Sequence, residues 1–319
     1  MNFENIETAY NLILENCQRL EIQLQTTNLY EALIEQNVCF INSEDITDKK
    51  IKENNEKLRY LNLSEEEWRR SFQFIFIKAM KDQFLQANHQ FTPDSIAFIL
   101  LYLLEELTHS PQLDILEIGS GTGNLAETLV INSQKTLDYM GIEVDDLLID
   151  LAASIADVIG TDISFVQEDA IRPQILKESD VIISDLPIGY YPNDNIAKRY
   201  QVASLSEHTY AHHLLMEQSL KYLKKDGIAL FLAPNNLLTS PQSDLLKKWL
   251  KDYANLIAVI TLPENLFENK AYAKTIFILK KHIDNIPETF VYPLSDLQAH
   301  ENITAFMESF KKWKLDNSI

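Results

Sequence analysis

From residue 113 onward short apolar runs alternate with helical patterns, and this alternation restricts the possible folds more than any other feature of the chain. "LDILEIG", "LDYMGIEV", "ISFVQED", "SDVIISDL", "DGIALFLAP", "LIAVITLP" and "KTIFILKK" read as seven strands. Between most of them lie segments such as "LLIDLAASIADVI" and "EHTYAHHLLMEQSLKYLKK", with apolar residues at helical spacing. Strands joined through helices pair largely in parallel, because a parallel crossover needs the length that a helix supplies. The pattern predicts an α/β fold with a Rossmann-like sheet and helices on both faces.

The first ninety residues are of another kind. They contain no glycine and no proline, and Ile6, Tyr10, Ile13, Cys17, Leu20 and Leu24 recur every three or four positions as one apolar helix face. "SEEEW" opens a further helix with a capping box, Ser64 with Glu67, and its Trp68, Phe72, Ile75, Phe76 and Phe84 are expected to face a core. Thr92 suits a helix N-cap, with Pro93 as the first helical residue. The expected division is a helical N-terminal domain over 1–88 and an α/β domain over 89–319.

Charge narrows the partners. With 28 basic and 47 acidic side chains the formal net charge is −19, which opposes an unaided grip on duplex phosphates. Two cysteines with no joining motif, Cys17 and Cys39, fit a reducing compartment. The apolar run "IAFILLYLL" is far short of the ~20 residues that span a bilayer, and "MNFENIETAY" has no basic leader region. A cytoplasmic protein with no membrane contact is expected. His208 and His212, four apart, invite a metal reading, but no third ligand has helpful spacing, and no metal is expected.

Only seven glycines occur in the chain, and three lie in "EIGSGTG", at Gly119, Gly121 and Gly123. An apolar strand precedes them and a helical pattern follows, the context that makes a nucleotide-type loop credible. Glu117, two residues before the first glycine, repels an anion and favours a ligand carrying an amino group and a positive charge. S-adenosylmethionine, with its sulfonium and α-amine, meets that description; a nicotinamide dinucleotide does not. Glu143 closes the second strand, where an acid accepts from ribose hydroxyls. Asp169 closes the third, within reach of an adenine amine, with the Ala170 N–H beside it.

With these motifs in place, the chain resembles the class I S-adenosylmethionine-dependent methyltransferases. More narrowly it resembles the adenine-specific DNA methylases of type I restriction-modification systems, in the YtxK-type group. The resemblance runs from about Gln90 to Lys281. It implies that "HQFTPDSI", with Gln90 and Thr92, packs against the methionine end of the cofactor. It implies that "LEIGSGTGNL" is the cofactor loop, which adds Ser120 and Asn124, and that Val144 lies beside the acid at 143. At the fourth strand such enzymes carry an Asn or Asp, two prolines and an aromatic ring. The acid and the carbonyl after it accept from the amine to be methylated, and the ring stacks on the flipped base. Here that element is "DLPIGYYP": Asp185, Leu186 and Pro187 take the catalytic positions, Asp185 also borders the cofactor, and Ile188 stands where the ring belongs. Tyr190, or Tyr191, would supply the ring instead.

The resemblance implies an N-methyltransferase acting on adenine in DNA, weakly bound by the chain alone, with sequence specificity resident on a separate subunit. Two alternatives stay open: the same chemistry on a protein side chain, an RNA base or a small amine, and a cofactor-binding partner protein whose catalytic element has drifted.

Overall fold

The computed structural model describes residues 1–42, 47–82, 91–267, 270–281 and 287–317. In chain order the elements are α1 (Phe3–Leu24), α2 (Leu29–Ile41), α3 (Lys49–Tyr60), α4 (Glu65–Asp82), α5 (Asp94–Leu107), β1 (Gln112–Ile118), α6 (Asn124–Asn132), β2 (Thr136–Glu143), α7 (Asp146–Ile159) and β3 (Ile163–Gln167). They continue as β4 (Ser179–Asp185), α8 (Asp194–Ala197), α9 (Ala211–Lys221), β5 (Leu223–Pro234), α10 (Ser243–Tyr253), β6 (Ala254–Thr261), β7 (Lys274–Lys281), β8 (Phe290–Pro293) and α11 (His300–Asn317). All seven expected strands are present. The eighth, β8, pairs parallel to β6; at four residues ending in a proline it carries no alternating pattern to announce it. The first turn of α5 accepts its bonds at the Pro93 carbonyl, one residue later than the expected Thr92 cap.

The chain forms two compact units, Met1–Leu101 with Ser120–Glu168, and Tyr102–Gly119 with Asp169–Ile319. In the first, the N-terminal helices do not close a core of their own. Ile13, Cys17, Leu33, Phe72 and Phe76 join Leu148, Leu151 and Ile155 of α7 in one apolar cluster. Of the expected α1 face, Ile6, Ile13, Cys17 and Leu20 are buried, while Leu24 is exposed next to a left-handed cap at Gln25. Asn16 shares that buried face and is satisfied there: its amide donates to Gln36 Oε1 at 2.9 Å and Asn55 Oδ1 at 3.0 Å, and its own Oδ1 accepts from Asn54. The capping box forms, with Ser64 N donating to Glu67 Oε2 at 3.0 Å and Glu67 N to Ser64 Oγ at 3.3 Å. Phe84 lies outside the described residues. Strands β2 and β3 pair in parallel, from Tyr139 opposite Ile163 to Glu143 opposite Gln167.

In the second unit the strands run in the order β1-β4-β5-β7-β6-β8. β1, β4 and β5 are mutually parallel, whereas β7 is antiparallel to both of its neighbours. Val181, Ile182 and Ile183 of β4 and Ile228–Ala233 of β5 are all buried, as in strands covered on both faces. The reversal of β7 sets its first residue, Lys274, opposite Pro234, the last of β5. A residue 89 positions beyond Asp185 in sequence is thereby placed where β4 and β5 end. Among the described residues no helix is long and apolar enough to cross a membrane.

Candidate active site

The loop that follows β1 is built from backbone. Gly119, Gly121 and Gly123 all take positive φ, at 73°, 53° and 77°. A Cβ at Gly121 would meet nothing within 4 Å, so the left-handed conformation, not crowding, requires glycine there and leaves the loop backbone open to a ligand. At Gly123, the N-cap of α6, a Cβ would also press on Ala152 and Phe165 at 3.0 and 3.1 Å. Ser120 N donates to the Ile142 carbonyl at 3.0 Å, and Ser120 Oγ is buried with no hydrogen-bond partner.

Glu143 is fixed against this loop. Its Oε2 accepts from Gly121 N at 2.9 Å, and its Oε1 accepts from Val144 N at 2.8 Å and Asp145 N at 3.0 Å. A carboxylate has about four lone-pair sites, so the acid is oriented and still able to accept. Val144 beside it is 64% exposed. Thr92 and Asn124 also meet, the buried Asn124 amide donating to the Thr92 carbonyl at 2.9 Å. Gln90 lies outside the described residues. One acid escaped the sequence reading: Glu127 on α6 is 1% exposed, accepts from Thr161 Oγ1 at 2.9 Å on both oxygens, and burial pushes its pKa up to about 8. Nothing in "NLAETLVI" distinguishes this Glu from a solvated one.

In the second unit the candidate residues act through side chains. Glu117 is buried in β1, opposite Ile183 of β4. Asp185 ends β4, and the ladder continues one residue further as Leu186 N donates to the Leu232 carbonyl at 2.9 Å. Leu186, in the place of the first proline, is fully buried. Pro187, Ile188 and Ala170 are half-buried. The segment that follows is pinned: Ala211 N donates to the Gly189 carbonyl at 3.0 Å and Tyr191 N to the Thr209 carbonyl at 2.8 Å.

This pinning separates the two tyrosines. Tyr191 is buried, and its hydroxyl donates to Asp169 Oδ2 at 2.7 Å. Burial and the neighbouring Asp169 push its phenol up to about 12. Asp169 accepts in addition from Ile171 N at 3.0 Å and pairs with Arg172 at 3.3 Å. Tyr190 is 53% exposed and stacks on Tyr210, with centroids 4.7 Å apart and planes 11° apart. Tyr210 stacks in turn on His212 at 5.1 Å and 17°. Burial holds the His212 imidazole neutral, down to about 4, against a hydrogen bond to the Pro187 carbonyl that opposes the shift. Of the two tyrosines, Tyr190 is the exposed one. His208 is exposed and pairs with Asp194 at 2.9 Å, ahead of the first residue of α9, so it shares no helix face with His212. Among the described residues no cluster of three or more His, Cys, Asp or Glu is placed to hold a metal.

Lys274 also escaped the sequence reading. Its ammonium donates to Asp185 Oδ1 and, at 2.9 Å, to the Leu186 carbonyl.

An α/β fold with a reversed β7, an open glycine loop and an acid closing β2 defines the class I S-adenosylmethionine-dependent methyltransferases. A Listeria monocytogenes protein assigned to that class has a solved structure with a TM-score of 0.90 and 30% identity, covering 98% of this chain and 99% of that one. A type I restriction-modification methyltransferase subunit from Streptococcus thermophilus shares the fold, with a TM-score of 0.67 at 16% identity over 95% of this chain and 74% of that one. The pattern of the N-6 DNA methylase family matches residues 74–312. YtxK of Bacillus subtilis, a protein of uncharacterised activity, is 34% identical over 276 residues, 83% of each chain. The chain belongs to the N-6 DNA methylase family. It is a methyltransferase of the S-adenosylmethionine-dependent kind, and the residues present fit that cofactor: a buried Ser120 hydroxyl without a partner, an open loop, and an oriented acceptor at Glu143.

Proposed function

We propose that the chain transfers a methyl group to the exocyclic amine of adenine in DNA. The observation that carries this reading is Asp185 followed by the Leu186 carbonyl at the end of β4, in a chain of the N-6 DNA methylase family. The cofactor supplies an electrophilic methyl group on a sulfonium. The glycine loop Gly119–Gly123, with Ser120, Asn124, Thr92, Gln90 and Glu117, receives its methionine end. Glu143 accepts from the ribose hydroxyls, and Val144, Asp169 and Ala170 hold the adenine. Asp185 and the Leu186 carbonyl accept the two N–H bonds of the target amine, which leaves the nitrogen lone pair facing outward to react. No covalent enzyme intermediate is needed; positioning and electrostatics suffice. Pro187 stiffens the segment, and the exposed face of Tyr190 serves as the shelf for a flipped base. The division into a helical segment over 1–88 and a methyltransferase segment over 89–319, a cytoplasmic location and a separate specificity subunit belong to the same proposal. A net charge of −19 makes binding of the chain alone to duplex DNA weak.

A second reading has a specific observation in its favour. The release factor glutamine methyltransferase of Bacillus subtilis is 24% identical over 119 residues, 35% of this chain, and an acidic surface suits a protein acceptor better than a phosphate backbone. Incubation with methyl-labelled cofactor and separated DNA, RNA and protein fractions decides between them. N6-methyladenine in the DNA hydrolysate is the expected result; label confined to protein would replace the first reading with the second.

A further inference from the structure

The two acceptors assigned above to the target amine are both engaged by another amine, Asp185 through its Oδ1. Lys274 Nζ donates to Asp185 Oδ1 and to the Leu186 carbonyl, the pair of contacts an arriving exocyclic amine would make. The antiparallel course of β7 puts Lys274 there, opposite Pro234 and at the end of β5 that adjoins Asp185. The contact is not a solvated surface pair. The side chains of Lys274 and Asp185 are 15% and 19% exposed, so the charges are held largely out of water, where breaking one partner away is costly. The nearby His212 ring is held neutral by burial, so it brings no second positive charge against the ammonium.

Resting on the proposed acceptor role of Asp185, we infer that Lys274 is a specificity-determining plug: it holds the acceptor seat as an internal amine, and a substrate is methylated only if it displaces Lys274 from both Asp185 and the Leu186 carbonyl. A neutral amine donates less strongly to a carboxylate than an ammonium does. The plug therefore raises the threshold for any amine that gains no binding energy elsewhere, and it discriminates against small free amines.

Two measurements test this. Lys274→Met keeps the aliphatic stem and removes the donor; Lys274→Leu also removes the donor, with a shorter stem, in case the first variant folds poorly. Either is expected to lower the KM for a 2′-deoxyadenosine acceptor by more than tenfold with a smaller change in kcat, while Lys274→Arg stays near wild type. An unchanged or raised KM in both variants, with transfer running, would overturn the plug. The second measurement needs no acceptor. Competitive acetylation with acetic anhydride should label Lys274 at least tenfold more slowly than Lys270, whose side chain is 82% exposed, and Asp185→Ala should remove most of that protection. Labelling of Lys274 as fast as Lys270 overturns the inference. Absence of transfer in every variant, with Lys274 protected, counts against the adenine reading and not against the plug.

Discussion

The loop after β1 and the loop after β4 both follow the end of a strand, and they are built by opposite means. The first is backbone: three glycines in left-handed conformation, and one acid tied down by three main-chain N–H groups. The second is side chains drawn from separate parts of the chain: Asp185 on Lys274, Tyr190 on Tyr210, which itself stacks on His212, and Tyr191 on Asp169. The first is prepared and open. The second is prepared and occupied. On the proposed reading cofactor capture falls to the first loop and acceptor choice to the second, and the two should fail separately when mutated.

The sharpest break between them is expected at Asp185. Asp185→Ala should reduce methyl transfer to below about a hundredth of wild type, the scale of losing one positioned polar group at a reacting centre. Transfer that survives in a radiometric assay would remove Asp185 from the acceptor role. Next comes Glu143→Ala, which should weaken S-adenosylmethionine more than tenfold, since hydrogen bonds to a charged acceptor are worth ~1.5–3 kcal/mol each. An unchanged dissociation constant by calorimetry would move the ribose contact elsewhere. Tyr190→Ala removes a half-exposed shelf, so the low end of the ~1–3 kcal/mol per stacked base applies. About a fivefold rise in acceptor KM with kcat little changed is expected; a drop in melting temperature without a change in KM would make Tyr190 a packing residue.

The smallest effect sharpens the account of the first unit. The folded Glu127 holds its proton up to about pH 8, whereas the unfolded chain releases it near 4.5. The native state therefore binds more protons over that window, and its stability falls as pH rises through it. Glu127→Gln has no proton to lose, so its melting temperature should gain on wild type by a few degrees, roughly, between pH 5 and pH 8. A constant gap across that range would mean that Glu127 is ionised in the fold.

How much of this was legible in sequence follows the same contrast. The glycine loop and the acid at 143 lie in consecutive strand ends, so spacing alone was enough to find them. The seven long strands showed themselves through apolar runs, and the reversal of β7 did not, because an apolar run has no direction. Lys274 was hidden for that reason: read along the chain it is an ordinary lysine before "TIFILKK", and only the antiparallel pairing brings it to Asp185. The apolar face of α1 was visible, yet what it packs on was not, since α7 completes its cluster from more than a hundred residues away. Of "GYY" the sequence could say that a ring was available. Pairing of the segment with 209–211 decides which one.

The separation of the two loops is tested most directly by titrating S-adenosylmethionine into Asp185→Ala in a calorimeter. The account predicts one site per chain with a dissociation constant within a few-fold of wild type, in a protein that no longer transfers methyl groups. Loss of cofactor binding together with transfer would contradict it, and would show that the end of β4 holds the cofactor as much as the acceptor.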